Sequence, residues 1–189
     1  MHLPSQERTA LFIDGVGFYA ATRNLGFDVD YRKLMEFFRA KTNLVRAYYY
    51  SALPEGEDHS PLKPLTDWLA YNGYHLVTKP AREFVDSQGR RRHKGSMSVE
   101  LAVDMIEQAP RLEHVILFSG DADFCRAVEA VQRLGVRVSV VSTIRASHPM
   151  IADELRRQAD QFIDLAYIAS HFSRRTPEEL VETHDTLDA

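Results

Sequence analysis

Hydrophobic residues along the chain follow two alternating patterns. Short apolar runs rich in β-branched and aromatic residues, Leu11-Phe12-Ile13 and residues 44–51, 74–78, 115–119 and 136–142, have the length of buried strands. Between them apolar residues recur at helical spacing, as Leu34, Phe37 and Phe38, then Leu65, Trp68 and Leu69. Val99, Ala102, Val103 and Ile106 form a third stripe, and Phe124, Ala127, Val128 and Val131 a fourth. Each stripe predicts an amphipathic helix with that face on the core. Strands alternating with such helices specify an α/β fold, a three-layer α/β/α sandwich around a mostly parallel sheet of five to six strands. Residues 80–95 interrupt the alternation and read as a hairpin or loop inserted beside the sheet. Ser147-His148-Pro149 reads as a helix start. The pattern fades near residue 172, which predicts one domain over residues 1–172 and an acidic tail over 173–189, with a short turn at Thr176-Pro177.

Composition changes this picture little. With 189 residues, 44% of them hydrophobic, and a single Cys, the chain is an ordinary globular length that needs no disulfide staple. Cys125 lies in an apolar helical context and reads as a small core residue. No apolar run is long enough to span a bilayer and the N-terminus lacks a signal-peptide layout, so the expectation is a cytoplasmic protein with no membrane partner.

Charge is more informative. The net charge of −4 is mostly a property of residues 174–189, which carry −3, so the body is nearly neutral. Against that background Lys79, Arg82, Arg90, Arg91, Arg92 and Lys94 face only Glu83 and Asp86, a local surplus of +4 suited to a polyanion or to a solvated hairpin tip.

Ligands of open α/β sheets bind outside the carboxyl ends of the strands. At those ends stand Asp14, Ser51, Ser119-Gly120-Asp121 and Ser142. Asp14 precedes Gly15, and Asp121 and Asp123 sit two residues apart at a strand-to-helix junction. One such carboxylate is readily a helix cap. Three that converge repel one another unless a cation is shared. An all-oxygen donor set favours Mg2+ or Mn2+, whereas no pair among the eight histidines has the spacing of zinc ligands. Periodicity puts Asp104 on the solvent side of its helix, with Glu100 in the first turn and Ser98 as the expected N-cap. Tyr48-Tyr49-Tyr50, within a strand, reads as core packing in preference to a base-stacking surface.

Four segments in order resemble one family: residues 12–19 (Phe-Ile-Asp-Gly-Val-Gly-Phe-Tyr), residues 94–105, Ser119-Gly120-Asp121-Ala122-Asp123-Phe124, and residues 153–163. Together they are similar to the NYN domain, and more narrowly to its LabA-like bacterial branch, relatives of the PIN nucleases. The resemblance covers about residues 8–170 and implies a PIN-like fold with a divalent-metal ribonuclease site. Asp14, Asp121 and Asp123 match its acidic, metal-holding positions, and Asp104 matches an acidic position of the LabA-like branch. Two positions depart from it: Gly17 stands where the family usually has Asn, and Ser98 where it usually has Asp.

Two functions follow as expectations. The first is hydrolysis of RNA, single-stranded in the simplest case, with Asp14, Asp121, Asp123 and Asp104 catalytic, Asp14, Asp121 and Asp123 holding Mg2+ or Mn2+, and Lys94, Arg90, Arg91, Arg92, Ser119 and Ser142 gripping phosphates. The second is a module of the same fold that binds RNA or a protein partner without cutting. A nucleotide-binding Rossmann site is excluded by the absence of a Gly-x-Gly-x-x-Gly run after the first strand.

Overall fold

The computed structural model describes residues 6–54, 62–85 and 91–174, with the backbone alone at 54, 82–85 and 91–94. Arg90, the Thr176-Pro177 turn and the acidic tail beyond Arg174 lie outside the described residues.

β1 (Arg8–Asp14), β2 (Asn43–Pro54), β3 (Tyr74–Val85), β5 (His114–Phe118), β6 (Arg137–Ser142) and β7 (Gln161–Asp164) are parallel, in the order β3-β2-β1-β5-β6-β7. β4 (Arg91–Lys94) pairs antiparallel with the end of β3, closing the hairpin expected from residues 80–95. The helices are α1 (Gly15–Asn24), α2 (Tyr31–Lys41), α3 (Lys63–Tyr71), α4 (Ser98–Gln108), α5 (Cys125–Arg133) and α6 (Asp153–Gln158).

Continuous apolar strands need cover on both faces, and two cores provide it. Leu11, Ile13, Phe18, Leu34, Phe38, Leu69 and Phe118 fill one. Ala10, Phe12, Tyr50, Leu101, Met105, Leu117, Phe124 and Val128 fill the other. Tyr48, Tyr49 and Tyr50 are all buried, alternating between the two cores as strand geometry requires. Gly73 and Gly135, with φ of +86° and +81°, turn the chain out of α3 and α5 into the next strands.

Three expectations need correction. α4 buries Leu101 and Met105, while Val99, Val103 and Ile106 are exposed, so the helix is rotated from the predicted stripe. Both faces of this helix carry apolar residues, and spacing alone selects the wrong one. Residues 144–150 form an irregular loop, and the next helix begins at Asp153. Cys125 is only partly buried at the start of α5, its thiol pKa raised chiefly by desolvation.

Candidate active site at the carboxyl edge of the sheet

From β1 the chain crosses to β2 on one side and later returns to β5 on the other. The switch of direction therefore falls between β1 and β5, the place where α/β sheets open a crevice. Ile13 pairs with Phe118 in that crevice, so the next residues, Asp14 and Ser119, emerge side by side. α1 begins directly at Gly15, with no loop. A side chain there would meet the Tyr50 carbonyl at 2.7 Å and the Tyr49 ring at 2.9 Å.

The Ser119 hydroxyl donates to Asp14 Oδ2 at 3.0 Å, and the Asp121 amide donates to Ser119 Oγ at 3.3 Å. Asp121 caps the 3-10 turn that follows, accepting the Asp123 amide at 3.0 Å. Burial raises the Asp14 pKa. The amides of Gly17 and Val16 and the Ser119 hydroxyl oppose that rise, and the Asp121 charge adds to it. Among the described residues no basic side chain pairs with Asp14, Asp121 or Asp123.

A neighbouring loop fixes this edge. A Cβ at residue 120 would lie 1.7 Å from the Met150 carbonyl, so only glycine fits. Ser142 Oγ donates to that same carbonyl at 2.8 Å, and the Ala152 amide donates to the Gly120 carbonyl at 2.9 Å. Ser142 thus sits buried as a loop fastener, and Ser119 as the partner of Asp14.

The remaining candidates are dispersed. Asp123 is exposed on the 3-10 turn. Asp104 is half-buried and not solvent-facing as periodicity implied. Its Oδ2 accepts the hydroxyl of Tyr50 at 2.9 Å, and Tyr50 pairs with Asp14 across β1 and β2. Burial and this carboxylate push the Tyr50 pKa far up, so the phenol remains a donor. Glu100 forms an ion pair with Lys79, at 2.8 Å, which neutralises one cation of the basic stretch and pulls the Glu100 pKa down. The N-cap of α4 is Met97 and not Ser98, which is the first helical residue, its amide donating to the Ser96 hydroxyl at 3.2 Å. The backbone ladder pairing Arg82 with Lys94 and Val85 with Arg91 sets residues 91, 92 and 94 on the outermost strand of the sheet. The Tyr50–Asp104 and Lys79–Glu100 contacts join distant segments, and nothing local in the sequence announces them.

The NYN domain model matches residues 8–166. The chain belongs to the NYN domain family. It is 34% identical over 179 residues to the low amplitude and bright protein LabA of Synechococcus elongatus, covering 92% of each chain. It is also similar to the crystal structure of a Vibrio parahaemolyticus protein of unknown function, with 26% identity, a TM-score of 0.69, and coverage of 91% of this chain and 97% of that one. This NYN domain therefore has the PIN-like, nuclease-type fold of an RNA-related family.

NYN domains generally use divalent metals. In this one the donors at the crevice are all oxygen, the chemistry of a hard cation. Among the described residues no three His, Cys, Asp or Glu side chains are gathered as a metal-holding group. The donor chemistry therefore fits a hard cation, and the described carboxylates do not form a closed cage. At Gly17 a Cβ would stand 2.6 Å from Asp14 Oδ2, so a side chain there would require the carboxylate to shift. No helix among the described residues is long and apolar enough to cross a membrane.

Proposed function

We propose that this NYN domain hydrolyses phosphodiester bonds of RNA, using one Mg2+ or Mn2+ ion held by Asp14 and Asp121. The supporting observation is the pair itself: two neighbouring carboxylates at the switch point, one of them desolvated, with no cationic side chain among the described residues to neutralise them. Such a pair is electrostatically unfavourable alone and favourable around a dication. When bound, the metal polarises the scissile phosphate and makes a coordinated water more acidic.

The chain's own residues do the rest. Ser119 orients the Asp14 carboxylate and favours its ionised form, and the Asp123 amide fixes Asp121. Asp123, exposed beside them, orients the attacking water. Asp104 acts on Tyr50 and hence on the strand next to Asp14, a positioning role. Arg90, Arg91, Arg92 and Lys94 hold flanking phosphates, which makes binding weaken steeply with salt.

A second reading, an RNA-binding module that does not cut, draws support from the Ser98 hydroxyl, which stands 2.7 Å from that of Ser96 where the family resemblance leads one to expect a carboxylate. A cleavage assay on single-stranded RNA with Mg2+ or Mn2+ separates the two. Hydrolysis is expected in the wild type and a loss of at least about 100-fold in Asp14→Asn and Asp121→Asn. Equal cleavage by the variants overturns the site, and metal-independent binding without cleavage selects the module.

A further inference from the structure

An open groove of about 610 Å³ lies between the starts of α2 and α3. α3 follows β2 and α2 precedes it, so both helices begin at the carboxyl edge of the sheet, the edge that carries Asp14. The groove has an apolar wall of Leu65 and half-buried Trp68, and two guanidinium groups, Arg32 and Arg174, at its rim. Neither arginine has an ion-pair partner among the described residues. The one carboxylate in the groove, Asp30, is committed to capping α2, accepting the amides of Arg32 and Lys33 at 3.0 and 3.1 Å. The groove is also joined to the candidate active site by a short chain of contacts. Its Tyr31 meets Tyr49 edge to face, ring centroids 5.6 Å apart, and the Tyr49 ring packs on Gly15, the residue after Asp14.

A flat indole beside two guanidinium groups that have no ion-pair partner among the described residues, in a body otherwise close to neutral, matches a ligand that alternates aromatic faces with negative charges. We propose that this groove is a subsite for single-stranded RNA, in which a base stacks on Trp68 and backbone phosphates contact Arg32 and Arg174. The proposal rests on the reading of the protein as one that acts on or binds RNA, and it extends the RNA path to the side of β1 opposite Ser119. The stretch at residues 79–94, on β3 and β4, lies on the same side of β1 and is then a second anchor for the strand. Stacking tolerates any base, so the groove holds the strand without selecting its sequence.

Trp68 is the single tryptophan of the chain, so the full-length protein reports on the groove without a substitution. The probe is an eight-nucleotide uridine oligomer in metal-free buffer, followed by Trp68 emission and, with a fluorescein label, by polarisation. The oligomer is expected to quench Trp68 emission, since a stacked base lies against the indole. In the Arg32→Gln/Arg174→Gln protein the slope of log affinity against log salt is expected to flatten by about 1.4, two phosphate contacts' worth for a single strand. Polarisation that shows binding, with unquenched Trp68 and an unchanged slope, overturns the groove and leaves the RNA reading standing. No polarisation change in the wild type at low salt brings down the RNA reading and the subsite with it. A Trp68 emission shift in Glu178→Gln/Glu179→Gln, with no response to RNA, assigns the groove to the acidic segment after Arg174 and likewise overturns the proposal.

Discussion

The two ends of the central strands both bury ionisable groups, and they treat them differently. At the amino-terminal end, Glu7 pairs with Arg137, Arg8 with Glu113, and fully buried His114 bonds Ser139 through Nε2 at 2.8 Å. Burial, aided by Arg137, depresses the His114 pKa to about 4, so the ring is neutral at pH 7. Opposite charges there stand side by side and the weak base has given up its proton. At the carboxyl end, the partners of Asp14 and Asp121 among the described residues are a serine hydroxyl and backbone amides. A fold that neutralises charge at one end of its sheet and leaves like charges adjacent at the other indicates where an external cation or ligand belongs.

The contrast has measurable consequences at each end. The larger one is at the amino end. His114 stays neutral in the fold down to about pH 4, whereas the unfolded chain takes up that proton near its ordinary value of 6.5. The stability held above pH 6.5 is therefore lost progressively as the pH falls to about 4, by on the order of 3 kcal/mol. Urea melts across that window check it, and a His114→Gln protein is expected to show a shallower dependence. Groups facing the ring are Glu7, Arg137 and Asp160, so the same melts on Glu7→Gln separate their share.

At the carboxyl end the Tyr50–Asp104 contact is a fully satisfied pair next to an unsatisfied one. Asp104→Ala strands a buried phenol and is expected to cost about 2 kcal/mol. Asp104→Asn keeps an acceptor and is expected to cost less than half of that. Thermal melts distinguish them. If Asp104→Asn retains stability but loses RNA cleavage, the carboxylate takes part in the chemistry beyond positioning.

Much of this architecture is legible in one dimension. The apolar runs mark β1, β2, β3, β5 and β6, most plainly β1 and β5, where burial on both faces leaves few polar positions to confuse the reading. β7 escapes it, since Gln161 and Asp164 dilute a four-residue edge strand. α4 defeats it differently: Val99, Val103 and Ile106 have helical spacing yet face outward, and the residues that decide the rotation, Leu101 and Met105, are visible only against Phe12 and Tyr50. In the site, Asp14 and Asp121 are readable as strand-end acids. That Ser119 belongs to Asp14, Ser142 to Met150 and Tyr50 to Asp104 depends on strand order and loop closure, which no local pattern encodes.

Under the proposed function, Asp14 and Asp121 together tolerate their charges by sharing a divalent ion. A raised carboxylate pKa makes ionisation costly, so the stability contributed below the ordinary carboxylate range is lost as the pH rises through the folded value. Asp14→Asn is accordingly expected to melt above the metal-free wild type at pH 7. The most direct test is the melting temperature of wild type and Asp14→Asn with and without Mn2+. At ten times its dissociation constant the ion is expected to stabilise the wild type by about 1.4 kcal/mol, roughly 3–6 °C for a chain of this size, and to leave the variant unmoved. A wild type indifferent to Mn2+, or an equal rise in both proteins, contradicts the claim.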